Sequence, residues 1–281
     1  MRVWGKEMEK GNVAITLFVL ALAACLCTAC ASLAAGNRAA EETDFMYGDF
    51  SYAFIWEGES RTISITGYYG TNTDLSIPGT IKGIRVTHIE AWAFFRNQLT
   101  SVTIPNSVIY IGALAFWGNE LAALAIPNSV IYIGDNAFFG NQLTSLTISN
   151  NLTNIGHSVF SSNHLASVTI PNSVNSIGNG AFLYNHLTSL TIGNNVTSIG
   201  EMAFSFNQLT SVIIPNSVVY IGAWAFSGNQ LTRITIGSNV MISGNFDESE
   251  DNFIYFYHRQ GRRAGTYIFS NGAWRTQEAT I

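Results

Sequence analysis

Along most of the chain, apolar and polar positions obey one rule with a period of 22 residues. Asparagines at 97, 119, 141, 163, 185, 207 and 229 open successive segments, and six full segments run to Gly228. Each can be written N-x-L-x-x-[LV]-x-I-x-x-x-[LV]-x-x-I-G-x-x-[AV]-F-x-x. In the first, Val102 and Ile104 alternate with Ser101 and Thr103, the period of two expected of a strand with one buried face. Val108, Ile111 and Ala115 follow three and four residues apart, with Phe116 beside the last, which suits a tight return rather than a second long strand. One segment cannot cover its own apolar face. Stacking sets Leu99 over Leu121, Ile104 over Ile126 and Phe116 over Phe138, so a continuous core grows only as segments are added. The pattern predicts a mainly β repeat solenoid with a parallel strand ladder on its concave face and short convex returns.

Two further columns punctuate each segment. Gly112 and its equivalents stand where a tight bend is expected, and Asn97 and its equivalents are placed to satisfy backbone groups in the turn entering the strand. The ends are irregular. A segment from Leu75 to Arg96 carries five extra residues at Lys82 to Val86, and a seventh loses the pattern after Ile242. From Phe50 to Tyr69 the chain alternates on both sides of Glu57-Gly58-Glu59-Ser60; near the C-terminus FIYFYH and GTYIFSNGAW flank a turn-rich basic stretch, with Asn271-Gly272 a hairpin signal. Solenoid ends expose apolar surface, so β-hairpin caps are expected at both. The resulting division is 1–24 signal peptide, 25–43 tether, 44–72 N-terminal cap, 73–246 solenoid and 247–281 C-terminal β cap.

Composition narrows the chemistry. The three cysteines, Cys25, Cys27 and Cys30, all lie in the first thirty residues, which leaves the repeats without thiols, disulfides or Cys-based zinc sites. The same segment sets Arg2, Lys6 and Lys10 before a twelve-residue apolar run from Val13 to Ala24. That is signal-peptide length, short of the roughly 20 residues of a spanning helix. Leu22-Ala23-Ala24-Cys25 resembles the lipobox of bacterial lipoproteins, with Cys25 as the lipidated residue; Cys30 is a weaker candidate, and a secretory cut after Ala31 or Ala35, or an uncleaved anchor, are the alternatives. Every one of these readings exports the chain, and the lipid anchor would be its one contact with a membrane.

Only 11% of the chain is charged and the net charge is -5, which offers nucleic acid no basic stripe. Between Asn97 and Val240 the charged residues are Glu120, Asp135, Glu201 and Arg233, scattered over different repeat positions, so no carboxylate pair faces a substrate there. Neither G-x-S-x-G, a P-loop nor H-E-x-x-H occurs. The chain is therefore read as not an enzyme and as having no cofactor. His164 and His186 fall one repeat apart and should approach within about 5 Å, but no third metal ligand is evident and an exposed turn position is the expectation. The acidic run Asp247-Glu248-Ser249-Glu250-Asp251 lacks calcium-loop spacing and reads as a solvated linker.

The phrase I-P-N-S-V-x-x-I-G-x-x-A-F-x-G-N-Q-L-T-S resembles the leucine-rich repeats of the BspA-like surface proteins, found chiefly in host-associated bacteria and some protists. The resemblance runs from about Thr73 to Ser243. The flanks TGYYGTNTDLSIP and GRRAGTYIFSNGAW are similar to the family's entry and C-terminal segments. It implies an adhesin that binds host matrix or cell-surface proteins or glycans, or neighbouring cells; a structural envelope spacer is the alternative. Two residue sets are candidates for such binding. One is the hydroxyl ladder Ser101, Thr103, Ser145, Thr147, Ser167, Thr169, Ser189 and Thr191, which could equally serve only solubility and strand formation. The other is the bulky set Trp92, Tyr110, Trp117, Tyr132, Phe139, Tyr184, Phe206, Tyr220 and Trp224, which could anchor a partner or simply stack, Tyr110 on Tyr132, over the core edge.

Overall fold

The computed structural model describes residues 45–246 and 253–277. The signal segment, Cys25, the tether and the acidic run 247–251 lie outside the described residues. Eight short strands, from Asp74–Ser76 through Ser101–Thr103 to Arg233–Ile236, recur once per turn and line one side of a solenoid. The returns are short, as expected, yet they are not featureless. Two-residue strands such as Tyr110–Ile111 and Tyr132–Ile133 form a second parallel ladder, because each sends an isoleucine into the core and its neighbour outward.

The core is a set of columns. Leu99, Leu121, Leu143, Leu165, Leu187 and Leu209 are fully buried. Phe94, Phe116, Phe138, Phe160, Phe182, Phe204, Phe226 and Phe246 stack ring on ring at 4.8 to 5.9 Å. Phe246 shows that the seventh repeat continues past Ile242 in shortened form. The asparagines form a third, polar column. Asn141 Oδ1 accepts the Leu121 amide at 3.2 Å, while Nδ2 donates to the Phe116 and Phe138 carbonyls at 3.0 and 3.1 Å. The same three bonds recur at Asn119, Asn163, Asn185 and Asn207, all buried. The Gly112 column has a different cause from the predicted bend, since its φ is not positive. A Cβ on Gly112, Gly134 or Gly222 would sit 2.4 Å from the backbone nitrogen of the preceding turn, so glycine is required by close approach.

The first ladder is not one sheet. Its strands hydrogen-bond two by two, Ala123–Ala125 with Ser145–Thr147, Ser167–Thr169 with Ser189–Thr191, and Ser211–Ile213 with Arg233–Ile236. The amides of Ile126, Ile170 and Ile214 donate to Thr147, Thr191 and Thr235 at 2.9, 2.8 and 2.8 Å; those of Ile104, Ile148 and Ile192 reach no carbonyl among the described residues. Burial follows the same alternation. Leu124, Val168 and Val212 are buried, whereas Val102, Leu146 and Leu190, beside the open seams, are half-buried. A shallow depression of about 260 Å³ marks the first seam, between Thr103 and Ala125.

The sequence carries this 44-residue period. In these three pairs Pro127, Pro171 and Pro215 turn the leading corner while Ser149, Gly193 and Gly237 turn the trailing one; the first pair, Asp74–Ser76 with Ser101–Thr103, has proline at both, Pro78 and Pro105. A Cβ on Gly193 would lie 2.4 Å from the Pro171 carbonyl, so the small residue lets the trailing corner close on the leading one. Proline at the corner does not by itself open a seam, since the strand before Pro105 bonds to Asp74–Ser76, where Gly79 faces that proline. Asn128 and Asn172 then lock their pairs, each accepting a backbone amide at 2.8 Å, from Asn150 and Asn194. The second ladder is interrupted once, between Tyr132–Ile133 and Asn154–Ile155. That level is bonded in the first ladder, so no level is open on both sides.

The ends are closed differently. Strands Phe50–Glu57 and Ser60–Tyr68 form a hairpin, flanked by Phe45–Tyr47, and its second strand joins Ile84–Ile89 in parallel. The extra residues near Lys82 make a tight hairpin of their own, pairing Thr80 with Arg85. At the other end Gly265–Ser270 and Ala273–Thr276 form the expected hairpin, which pairs antiparallel with Arg233–Ile236. The FIYFYH segment departs from a purely β cap and is a helix, Phe253–Arg259. Phe253, Ile254 and Tyr257 are buried and Tyr255 is 64% exposed, which is helical spacing rather than alternation. Phe253 extends the phenyl column, 5.3 Å from Phe246 and 5.1 Å from Trp274.

Candidate binding surface

The hydroxyl ladder lies where its alternation predicted. Thr103, Ser145, Thr147, Ser167, Thr169, Ser189 and Thr191 are exposed and in register, Ser167 opposite Ser189 and Thr169 opposite Thr191. Ser101 is half-buried and donates to the Asp74 carboxylate. At the C-terminal end of this face Ile213 takes a threonine position and is 68% exposed, and Arg233 Nη2 donates to Gln277 Oε1 at 2.6 Å.

The aromatic set separates into three groups. Tyr110 stacks on Tyr132 at 4.8 Å and on His88 at 5.2 Å, covering the edge of the second ladder; Tyr132 is left 49% exposed. Tyr220, at the same repeat position, is 38% exposed beside Val219 at 62% and Met241 at 59%. Trp92, Phe95, Trp117 and Phe139 form a second column. Trp117 lies between Phe95 at 4.8 Å and Phe139 at 5.8 Å, with the Arg96 guanidinium 4.7 Å above its ring, so neither face is open.

The third group stands on left-handed backbone, which Trp92 of the second group shares at φ 68°. Each turn places two residues in the left-handed region, one column running Trp92, Leu114, Asn136, Ser158, Gly180, Met202, Trp224 and the other Arg96, Gly118, Gly140, Ser162, Tyr184, Phe206, Gly228. Glycine holds these positions without cost, while a bulky side chain costs about 1–2 kcal/mol there. Tyr184, Phe206 and Trp224 sit at φ 54, 53 and 53°, and are 51, 42 and 40% exposed. Tyr184 stacks on Phe206 at 4.8 Å, and the Phe206 ring lies against the bare backbone of Gly228. Trp224 stacks on no ring among the described residues. Three large rings thus occupy strained backbone on one edge of the solenoid while remaining in contact with solvent. The sequence shows the rings and the Gly, Ser, Asn, Leu, Met and Arg that replace them in other repeats, but not the sign of φ.

The two histidines stack at 5.0 Å, and His164 Nε2 bonds Gln142 Oε1 at 2.8 Å. Parallel rings at that spacing do not aim two nitrogens at one ion. No cluster of three or more metal-binding side chains occurs among the described residues, and none of their helices is long and apolar enough to cross a membrane.

Comparison with known proteins agrees with this geometry. A family model described as the BspA type leucine rich repeat region, in six copies, matches residues 62–186, 133–251 and 176–272. A leucine rich cell surface protein of Faecalibacterium prausnitzii A2-165 superposes with a TM-score of 0.60 and 26% identity over 86% of this chain; the chain spans 62% of that protein. A leucine-rich repeat protein of Bacteroides ovatus shares the fold, with a TM-score of 0.52 and 21% identity over 73% of this chain and 68% of the other. A search of curated proteins found no significant match. With matched segments covering most of its length, the chain belongs to the BspA-type leucine-rich repeat family.

Proposed function

We propose that the protein is an exported cell-surface adhesin that binds a host or neighbouring-cell macromolecule through the edge bearing Tyr184, Phe206 and Trp224. One observation carries this reading. Exposed aromatic rings are held on left-handed backbone, Tyr184 and Phe206 in a column that elsewhere holds Arg96, Ser162 and glycines, and Trp224 in one that also holds Leu114, Asn136, Ser158, Gly180 and Met202, and strain retained at a surface is a mark of function. Large, rigid rings are the side chains in which binding energy concentrates. The similarity to a leucine rich cell surface protein supports export. Lipidation of Cys25 would supply the anchor, and Cys25→Ala should then move the protein from the detergent to the aqueous phase on partitioning; unchanged partitioning would sink the lipoprotein reading.

The test of the adhesin is capture of purified matrix and serum proteins, followed by titration of the captured partner. Trp224→Ala should weaken binding by about 2 kcal/mol, while Trp117→Ala, whose ring is closed in its column, should leave affinity within twofold. Affinity should change little between 0.05 and 0.5 M salt, where the Debye length falls from about 14 to 4 Å. The alternative role of envelope spacer is favoured by the self-contained Trp117 column. Affinity unmoved by Trp224→Ala would select it.

A further inference from the structure

Positive charge gathers near the C-terminal end of the described residues. We propose that the arginine loop closing the C-terminal helix, residues 258–263, is a docking site for a linear sulfated polysaccharide. His258, Arg259, Arg262 and Arg263 fall within six residues and are all exposed. Among the described residues no carboxylate follows Glu201; the acidic side chains from Asp247 to Asp251 lie outside them. The loop is positive on a molecule whose repeats are nearly uncharged.

Its backbone is fixed rather than loose. The helix Phe253–Arg259 ends with the Arg262 amide donating to the Tyr257 carbonyl and the Gly261 amide to the His258 carbonyl, both at 2.9 Å. With Gly261 at φ 66°, this is the paired-bond helix stop that glycine favours. The Arg262 carbonyl accepts the Asn239 amide at 2.8 Å, and the Arg263 carbonyl accepts the hydroxyl of buried Tyr267 at 2.5 Å. Arg262 holds φ 53°, a left-handed conformation on a long side chain. The Arg259 guanidinium rests 5.6 Å from the ring of Tyr255. Every backbone turn that aims these side chains is bonded to the body of the protein, so little ordering remains to be done on binding.

The chemistry of the patch selects its ligand. All three cations that keep their charge at neutral pH are arginines, whose planar fork grips the oxygens of a sulfate or phosphate group in pairs. A six-residue loop suits a slender chain with repeated anions. A DNA duplex bears one charge per about 1.7 Å of axis over a broad cylinder, and would press most of it against neutral repeats and a chain of net charge -5. Tyr255 is the one exposed ring beside these arginines among the described residues, and Arg259 lies over one of its faces, which is too little for a run of stacked bases.

The full chain should bind heparin, used as the probe, at about 0.15 M salt, and should bind neither chemically desulfated heparin nor dextran. The triple variant Arg259→Gln, Arg262→Gln, Arg263→Gln should lose at least tenfold in affinity and lower the slope of log affinity against log salt by about 2. A charge-matched control, Arg61→Gln, Lys82→Gln, Arg85→Gln, should change affinity less than twofold, and Trp224→Ala should not change it, which keeps this site separable from the adhesin edge. Equal loss in both triple variants would show a diffuse field and overturn the site. So would equal binding of desulfated heparin, or binding of duplex DNA as tight as that of heparin.

Discussion

Asn141 shows how much a single buried side chain carries in a repeat of this length. Its carboxamide pairs one amide that the turn would otherwise bury alone and supplies one of the two asparagine bonds to each of two carbonyls. Replacement by alanine strands the Leu121 N–H and halves the bonding of two carbonyls, so Asn141→Ala should cost about 2–4 kcal/mol. Exposed Thr144, bonded to the Ala122 carbonyl at 3.2 Å, sets the contrast: Thr144→Ala should cost less than about 0.5 kcal/mol. Thermal melts of the two variants separate the cases, and equal shifts would refute the role of the column. Tyr257 makes a similar point at the C-terminal cap, where its hydroxyl donates to the Gly237 carbonyl at 2.7 Å and accepts the Val240 amide at 3.2 Å. Burial raises its pKa above the usual tyrosine value, with the Val240 bond and Arg262 acting in the opposite sense. A raised folded pKa favours the protonated state, so the stability it contributes is fully present below about pH 10 and is lost as pH rises through the folded value. Tyr257→Phe should flatten the loss of stability in that alkaline range; an unchanged slope would place the titration elsewhere.

At the level of elements the paired ladder has a direct consequence for dynamics. Strand pairs are bonded internally and stand apart at the seams after Thr103, Thr147 and Thr191. Amide hydrogen exchange should therefore alternate along the chain, with Ile104, Ile148 and Ile192 exchanging at least tenfold faster than Ile126, Ile170 and Ile214, residues of the same type at the same repeat position. Uniform protection across all six would mean that the ladder is one continuous sheet in solution. The aromatic columns divide by the same local logic. Trp117 is held by two rings and a guanidinium, whereas Trp224 has the turn beneath it and solvent above. Identical residue types therefore have different surroundings, and the neighbours one repeat away decide which.

For the whole molecule, stability should follow the number of correctly matched neighbours rather than length alone. Excising residues 119–162 removes one leading and one trailing repeat and preserves the alternation of proline and small corners. Excising 141–162 removes a single repeat and sets the Pro127 corner against the Pro171 corner, with the Asn128 locks lost. The shorter deletion should lower the melting temperature more than the longer one does. The reverse order would show that the 22-residue repeat, not its double, is the cooperative unit. The two proposed sites lie on different parts of this scaffold and answer differently to salt, since the aromatic edge is neutral and the arginine loop is not.

The sequence by itself determined the solenoid, because a 22-residue period admits one way to bury Leu99, Ile104 and Phe116 with their copies, and it determined the outward ladder from Ser145 to Thr191 by alternation. The hairpin at Glu57 to Ser60 was legible from turn residues, as was the near absence of charge on the repeats. The 44-residue doubling was written at Pro127, Ser149, Pro171 and Gly193, but its meaning depends on how near one corner comes to the next, a distance no single repeat contains. The helix at Phe253 to Arg259 was hidden because six aromatic and β-branched residues read as strand until the end of the phenyl column fixed which of them must be buried. Tertiary structure alone decided which aromatic rings face each other and which face water, because a ring's partner is supplied by the neighbouring turn and its direction by a left-handed φ that composition does not reveal.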